Sequence, residues 1–271
     1  SLGARTMLDL DLLVRTEKIP AARALLIAAG YEEIPDEGKV FAGAPTDQRH
    51  AHINGYRKLG SPVQVELHYN IAYGLGGRIL SAEVGWQQTC SVTVETASTL
   101  ILQPTHRLIH NTVHGLIPSC YYIKGEIRLW HILEFAWLVK RYGQEIDWLV
   151  WLDSAKREKY TTAFLAWLWL AHRMFAMPLP EDIVVGWRPR LQGERLLSAT
   201  LLQFRRQSLG GGGQLHWRER LLWGVHRLYY WAHLPAWVWC NVCYAEGWRN
   251  LHVRVRYFAA KATSRRSWRK V

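Results

Sequence analysis

Residues 8–14 read Leu-Asp-Leu-Asp-Leu-Leu-Val. Leu8, Leu10 and Leu12 alternate with Asp9, Asp11 and Leu13, and a period of two is the mark of a β-strand with one apolar face. Both aspartates then share the opposite face. The leucine content makes the strand look buried, a setting in which unpaired charge is expensive. Working outward, IPAARALLIAAGY (19–31) is dominated by alanine and leucine, with Pro20 near its start and Gly30 near its end. Those are helix-start and helix-stop signals. A second strand is expected within Arg49–Lys58, followed by a Gly-Ser-Pro turn over Leu59–Pro62. VQVELHY, Val63–Tyr69, alternates again: Val63, Val65 and Leu67 face one way, and Gln64, Glu66 and His68 the other. The opening therefore reads strand, helix, hairpin.

Two aspartates at i and i+2 on one strand project from the same face, so their carboxylates can converge on one or two metal ions. Mg²⁺ takes a few carboxylate oxygens together with waters and substrate phosphates. A pair of such ions can activate an attacking hydroxyl and stabilise the leaving group of an in-line displacement. Phosphoryl transfer asks for little else beyond positioning and charge neutralisation. Glu66, on the polar face of its strand, supplies a third carboxylate if strand pairing brings it beside Asp9 and Asp11.

From about Pro104 the pattern turns helical. Leu108, Ile109, Val113 and Leu116 mark one helix, and Ile127–Tyr142 and Asp147–Phe175 read as further amphipathic helices. From Glu181 onward the composition shifts again: 16 of the residues are Lys or Arg against 5 Asp or Glu, a surplus of 11 in a chain whose net charge is +12. Residues 210–213 are four consecutive glycines, a flexible connector. The expected organisation is an α+β core over residues 1–100, a helical domain over 101–180 and a basic, Trp- and Arg-rich helical extension over 181–271.

With 49% hydrophobic and 21% charged residues, the chain can build a sizeable core and is not disordered in bulk. The positive balance favours anionic partners such as nucleotides, nucleic acid or an acidic membrane surface. Four cysteines in 271 residues do not make a disulfide scaffold, and a reducing cytoplasm is the expected setting. Asp9 and Asp11 interrupt any signal-peptide run in the first 20 residues. Leu228–Ala245 lacks formal charges, but with His233, Pro235 and Asn241 it reads as a buried or interfacial helix pair; no transmembrane segment is expected. His106, His110 and His114, spaced by four, share a helix face. That spacing can bind zinc, although packing is the plainer role. Cys240 and Cys243 form a lone C-x-x-C without partners. Arg218, Arg220, Arg227, Arg249, Arg254 and Arg256 make either a phosphate-binding face or a solvated one, and a basic surface against a membrane is a third reading.

GARTMLDLDLLV, ARALLIAAGY and VQVELHYN together resemble a bacterial family of largely uncharacterised nucleotidyltransferases, which is similar to the DNA polymerase β-like superfamily. The pattern rests on Arg5, Met7, Asp9, Asp11, Gly30, Tyr31, Val65, Glu66, Leu67 and His68. It continues more loosely to about Leu179, with Glu134 where an Asp is expected. The resemblance implies a small mixed-sheet nucleotidyltransferase core followed by a helical domain. It implies Mg²⁺-dependent transfer of a nucleoside monophosphate from an NTP to an acceptor that is a small molecule, a protein or an RNA end. Asp9 and Asp11 would hold the metal, and Glu66 would be the third ligand or the base that receives the acceptor proton. Arg5 would approach the phosphates, and His68 would orient Glu66 or touch substrate. Members of the superfamily carry a Gly-Gly or Gly-Ser turn and a helix start upstream of the acidic strand, where free N–H groups cradle the triphosphate. Only eight residues precede Asp9, so the chain reads either as beginning inside the domain or as a divergent copy. The latter would be a non-catalytic module whose basic C-terminal region docks to nucleic acid or to an anionic membrane.

Overall fold

The alternating stretch forms a strand, β1 (Asp9–Leu13), followed by helix α1 (Ile19–Ala28). A computed structural model describes residues 9–34, 53–72, 74–117, 121–125, 127–208 and 216–243 of the chain. It divides them between two units, residues 1–74 with 236–271, and residues 75–235.

In the first unit, α1 opens with Pro20 in its first turn and stops at Gly30, as its sequence predicts. The stop is a Schellman motif. The N–H of Tyr31 donates to the carbonyl of Leu26 at 3.0 Å, and that of Gly30 to Ile27 at 2.9 Å. Gly30 sits at φ +82°, where a side chain would be strained. Leu26 and Tyr31, thereby drawn together, both pack on a core of Tyr56, Val65 and Leu67. Strands β2 (Glu32–Glu33), β3 (Tyr56–Arg57) and β4 (Gln64–His68) complete a four-stranded sheet of order β1-β4-β3-β2. β2–β3 and β3–β4 are antiparallel, and β1 pairs with β4 in parallel, so the sheet is mixed. The strand expected over 49–58 is present at Tyr56–Arg57, while residues 49–52 lie outside the described set. One expectation is overturned: β1 is not buried. It lies at the sheet edge, and Leu10 and Leu12 are 42% and 38% exposed. Alternation reports which residues share a face; it does not report whether anything covers that face.

The second unit opens with two short helices, α2 (Leu75–Ile79) and α3 (Ala82–Gln87). Ser81 caps the latter, its hydroxyl accepting from Val84 N at 3.2 Å. A hairpin follows, β5 (Thr89–Val94) and β6 (Ala97–Leu102), which the sequence reading passed over. Its signal was present: TCSVTV and ASTLIL are strand-like runs around a two-residue turn, with Glu95 at φ +54°. The rest is helical: α4 (Pro104–Leu116), α5 (Tyr121–Lys124), α6 (Leu129–Tyr142), α7 (Trp148–Lys156), α8 (Thr161–Phe175) and α9 (Trp187–Ser208). A last helix, α10 (Trp217–Cys243), starts in this unit.

Asp147–Phe175 holds two helices, α7 and α8, divided by a turn at Arg157–Lys159 in which Lys159 takes φ +59°. The N–H of Tyr160 reaches back to Ala155 at 2.8 Å, again a helix-terminating bond. The helix pair expected over 228–245 is replaced by the single helix α10, which continues through Pro235; residues 244 and 245 are not described. Inside a helix proline removes one backbone donor and crowds the carbonyl four residues earlier, a cost of about 3 kcal/mol that α10 carries at Pro235. Among the described residues no helix is long and apolar enough to cross a membrane.

The helices pack around two fully buried tryptophans, Trp151 on α7 and Trp167 on α8, with Phe135 and Phe164 beside them. The Trp151 indole N–H donates to Thr112 Oγ1 at 3.1 Å, and the Thr112 hydroxyl donates to the Leu108 carbonyl at 2.8 Å. A buried polar group is thus satisfied inside an apolar layer. α9 lies along α8, with Gly193 at a close approach: a Cβ there would sit 2.6 Å from the Trp169 ring and 3.0 Å from the Ala166 carbonyl oxygen.

Candidate active site on the edge of the mixed sheet

The parallel pairing of β1 with β4 sets the site. Its register places Asp9 beside Gln64, Asp11 beside Glu66 and Leu13 beside His68. Side chains alternate across a pleated sheet, so the polar residues of both strands rise from one face while Leu10, Leu12, Val65 and Leu67 take the other. The result is a group of potential ligands. Asp11, Glu66 and His68 each offer an atom within 4.8 Å of the others. Among the described residues this is the one such group of three.

His68 Nε2 lies 3.2 Å from Asp11 Oδ1 and 3.6 Å from Glu66 Oε2. The Asp11 side chain is 56% exposed, Glu66 18% and His68 15%. Burial by itself would lower the imidazole pKa. Hydrogen bonding to Asp11 and Glu66 and the charge of both carboxylates outweigh it, and raise the value to about 9. The other oxygen of Glu66 is held separately: the Gln64 amide donates to Oε1 at 2.8 Å. Gln64 in turn occupies the space above Gly55, where a Cβ would fall 2.1 Å from its amide nitrogen. Gly55, Gln64 and Glu66 thus form a chain of supports for the carboxylate, and neither Gly55 nor Gln64 stands out in the sequence.

Asp9 stands on the same face two residues before Asp11, beside Gln64, and is not within the 4.8 Å group. Arg5 lies outside the described residues. The expense of burying charge does not bear on Asp11, which is half exposed at the sheet edge.

The first 176 residues match the family described as uncharacterised nucleotidyltransferase. The chain belongs to that family. No curated protein and no solved structure matched it in the corresponding comparisons. The match covers 176 of the 271 residues of this chain and ends within one residue of the end of α8. The acidic face lies inside it; α9 and α10 lie beyond.

The other constellations noted in the sequence do not build a second metal group of this kind among the described residues. His106, His110 and His114 do fall on α4. His106 is buried, which lowers its pKa, while His110 and His114 are ring neighbours at 5.7 Å and His114 meets His131 edge-on at 5.2 Å. Packing is therefore their visible role. Cys240 and Cys243 fall on α10, and their side chains are outside the description.

Proposed function

We propose that this nucleotidyltransferase moves a nucleoside monophosphate from an NTP to an acceptor hydroxyl, with Asp11 and Glu66 holding Mg²⁺ and Asp9 extending the metal-holding face. The observation that carries the reading is the register pair Asp11–Glu66 across β1 and β4, with His68 in the same group. Two carboxylates fit Mg²⁺, which binds through one or two such groups and keeps sites for water and phosphate oxygens. Bound there, the ion supplies charge neutralisation and acidifies the attacking hydroxyl.

The chain's residues do the positioning. Gln64 holds Glu66 Oε1, which leaves Oε2 as the oxygen turned toward Asp11 and His68. His68 draws the two carboxylates toward one point and is a positioning residue. Arg5 is assigned to the phosphates because the resemblance puts an arginine there. In the reaction the acceptor oxygen bonds to the α-phosphorus, the bond to pyrophosphate breaks, and the acceptor proton passes to a base, a second task Glu66 is placed to share. The acceptor is a small molecule, a protein or an RNA end. A cytoplasmic setting is supported by the small number of cysteines, four in 271 residues.

The test is calorimetric binding of Mg²⁺ with a non-hydrolysable NTP to the full chain and to Asp11→Asn and Glu66→Gln. Release of pyrophosphate in the presence of candidate acceptors is measured alongside. Nucleotide binding that needs the metal and is lost in both variants is expected. Binding indifferent to both substitutions would remove the site. Salt-sensitive nucleic-acid binding without any metal-dependent NTP binding would favour instead a non-catalytic module that docks through its basic C-terminal region.

A further inference from the structure

A second site lies wholly within the unit of residues 75–235. Tyr122 of α5, Thr162 of α8, Arg188 and Gln192 of α9, and Tyr229 and His233 of α10 line a pocket of about 450 Å³. Among the described residues no carboxylate lines it. Its donors outnumber its acceptors: a guanidinium, a carboxamide, an aliphatic hydroxyl and two phenols. Burial, and then the neighbouring Tyr229, push the Tyr122 phenol well above its ordinary pKa, so it stays protonated and can donate.

Behind this lining sits Arg195. Its guanidinium donates to the Tyr122 carbonyl at 2.5 Å, the Ile123 carbonyl at 3.3 Å and Gln192 Oε1 at 2.8 Å. It stacks on Tyr229 at 3.9 Å and faces Tyr122 at 5.4 Å. Among the described residues it has no carboxylate partner. A largely buried cation offset only by neutral oxygens and ring faces is costly. An anion bound in the adjoining pocket would offset that cost. Tyr229 also stacks on the His233 ring at 4.0 Å. The pocket wall is therefore both cationic and aromatic.

We propose that this pocket binds a nucleoside monophosphate, independently of the acidic face on β1 and β4. A lone carboxylate would not use so many donors, whereas the three terminal oxygens of a phosphate monoester would. The volume is large for inorganic phosphate and falls in the range of small-molecule sites. The exposed imidazole of His233 offers a planar surface for a base. Arg188, Gln192, Arg195, Tyr229 and His233 lie beyond the family match, while Tyr122 and Thr162 lie within it, so the C-terminal region of this chain supplies most of the site.

The test is calorimetry on the full chain in EDTA with AMP, inorganic phosphate and adenosine as probes. AMP is expected to bind one per chain, with phosphate and adenosine each weaker by about tenfold or more. Arg188→Gln and His233→Gln, both at exposed positions, are expected to weaken AMP by about tenfold each with unchanged circular dichroism. Asp11→Asn should leave it unchanged, which separates this site from the proposed catalytic one. Absence of AMP binding to the unaltered chain overturns the proposal. So does binding that neither Arg188→Gln nor His233→Gln weakens, or binding lost in Asp11→Asn. A 5′-phosphorylated trinucleotide serves as a parallel probe. Binding no tighter than AMP supports a free nucleotide, and tighter binding overturns it in favour of a nucleic-acid end.

Discussion

Replacing Gly115 with alanine pits helix propensity against packing, and the geometry decides the sign. Gly115 lies inside α4, where alanine is ordinarily preferred over glycine by about 1 kcal/mol. Here the new methyl carbon would fall 2.3 Å from Cη2 and 2.4 Å from Cζ2 of Trp167. Carbon atoms are at ease at about 3.5–4.0 Å, so the ring or the helix must move by more than ~1 Å. Trp167 is fully buried on α8, so its ring has no solvent to swing into and can move only by displacing its neighbours. Overpacking of this kind costs about 1–3 kcal/mol, sometimes more. Contacts this short put the cost at the upper end, about 3 kcal/mol, and the propensity gain of about 1 kcal/mol leaves an expected net loss of about 2 kcal/mol for Gly115→Ala, or roughly 4–8 °C in Tm for a unit of this size. Urea denaturation followed by tryptophan fluorescence measures it. A double-mutant cycle sharpens the test: in a Trp167→Leu background the clash is gone, and Gly115→Ala should become neutral or stabilising. A Gly115→Ala protein at least as stable as the parent, or an equal penalty in both backgrounds, would refute the packing argument.

Gly55→Ala should behave differently, because the atom it meets is the far end of the flexible Gln64 side chain. The fold is expected to stay intact while the amide leaves Glu66, weakening divalent-cation binding by about tenfold, a loss typical of supporting groups; Mn²⁺ titration by electron paramagnetic resonance reads it, and an unchanged affinity contradicts the supporting role. His106 and His226 are buried with pKa values lowered, by burial in both cases and for His226 also by the charge of Arg195. The unfolded chain then binds more protons than the folded one below the ordinary value of about 6.5, so stability present above that pH is lost as pH falls through the histidine range. His68, raised to about 9, acts in the opposite sense mainly above pH 6.5, so the window is pH 6.5 to 5: urea midpoints there should fall more steeply in the parent than in a His106→Gln/His226→Gln variant, and equal slopes in the two would rule this out.

How far the site was legible can be judged residue by residue. Asp9, Asp11, Glu66 and His68 could be placed on polar faces because strand alternation is written in the chain itself. The stop of α1 at Gly30 was equally plain, since few other residues accept its backbone angle. Gln64 and Gly55 went unnoticed because their role is a contact between neighbouring strands, which no local pattern encodes. The hairpin of β5 and β6 was overlooked although its residues are strand-like. The division of Asp147–Phe175 was hidden because its turn uses Lys159 rather than a glycine.

The sequence by itself determined the alternation that puts two acids on one face of a strand, the opening order of strand, helix and hairpin, and the helical character of the middle of the chain. These follow from short-range stereochemistry, in which each residue answers to neighbours two to four positions away. Only the tertiary structure decided that β1 runs parallel to β4 with Asp11 opposite Glu66, that β1 is an exposed edge, and that a cationic pocket forms between α5, α8, α9 and α10. Each of those depends on residues far apart in the chain. Register and proximity between them are set by how apolar faces pack together, and the linear pattern specifies those faces without naming their partners.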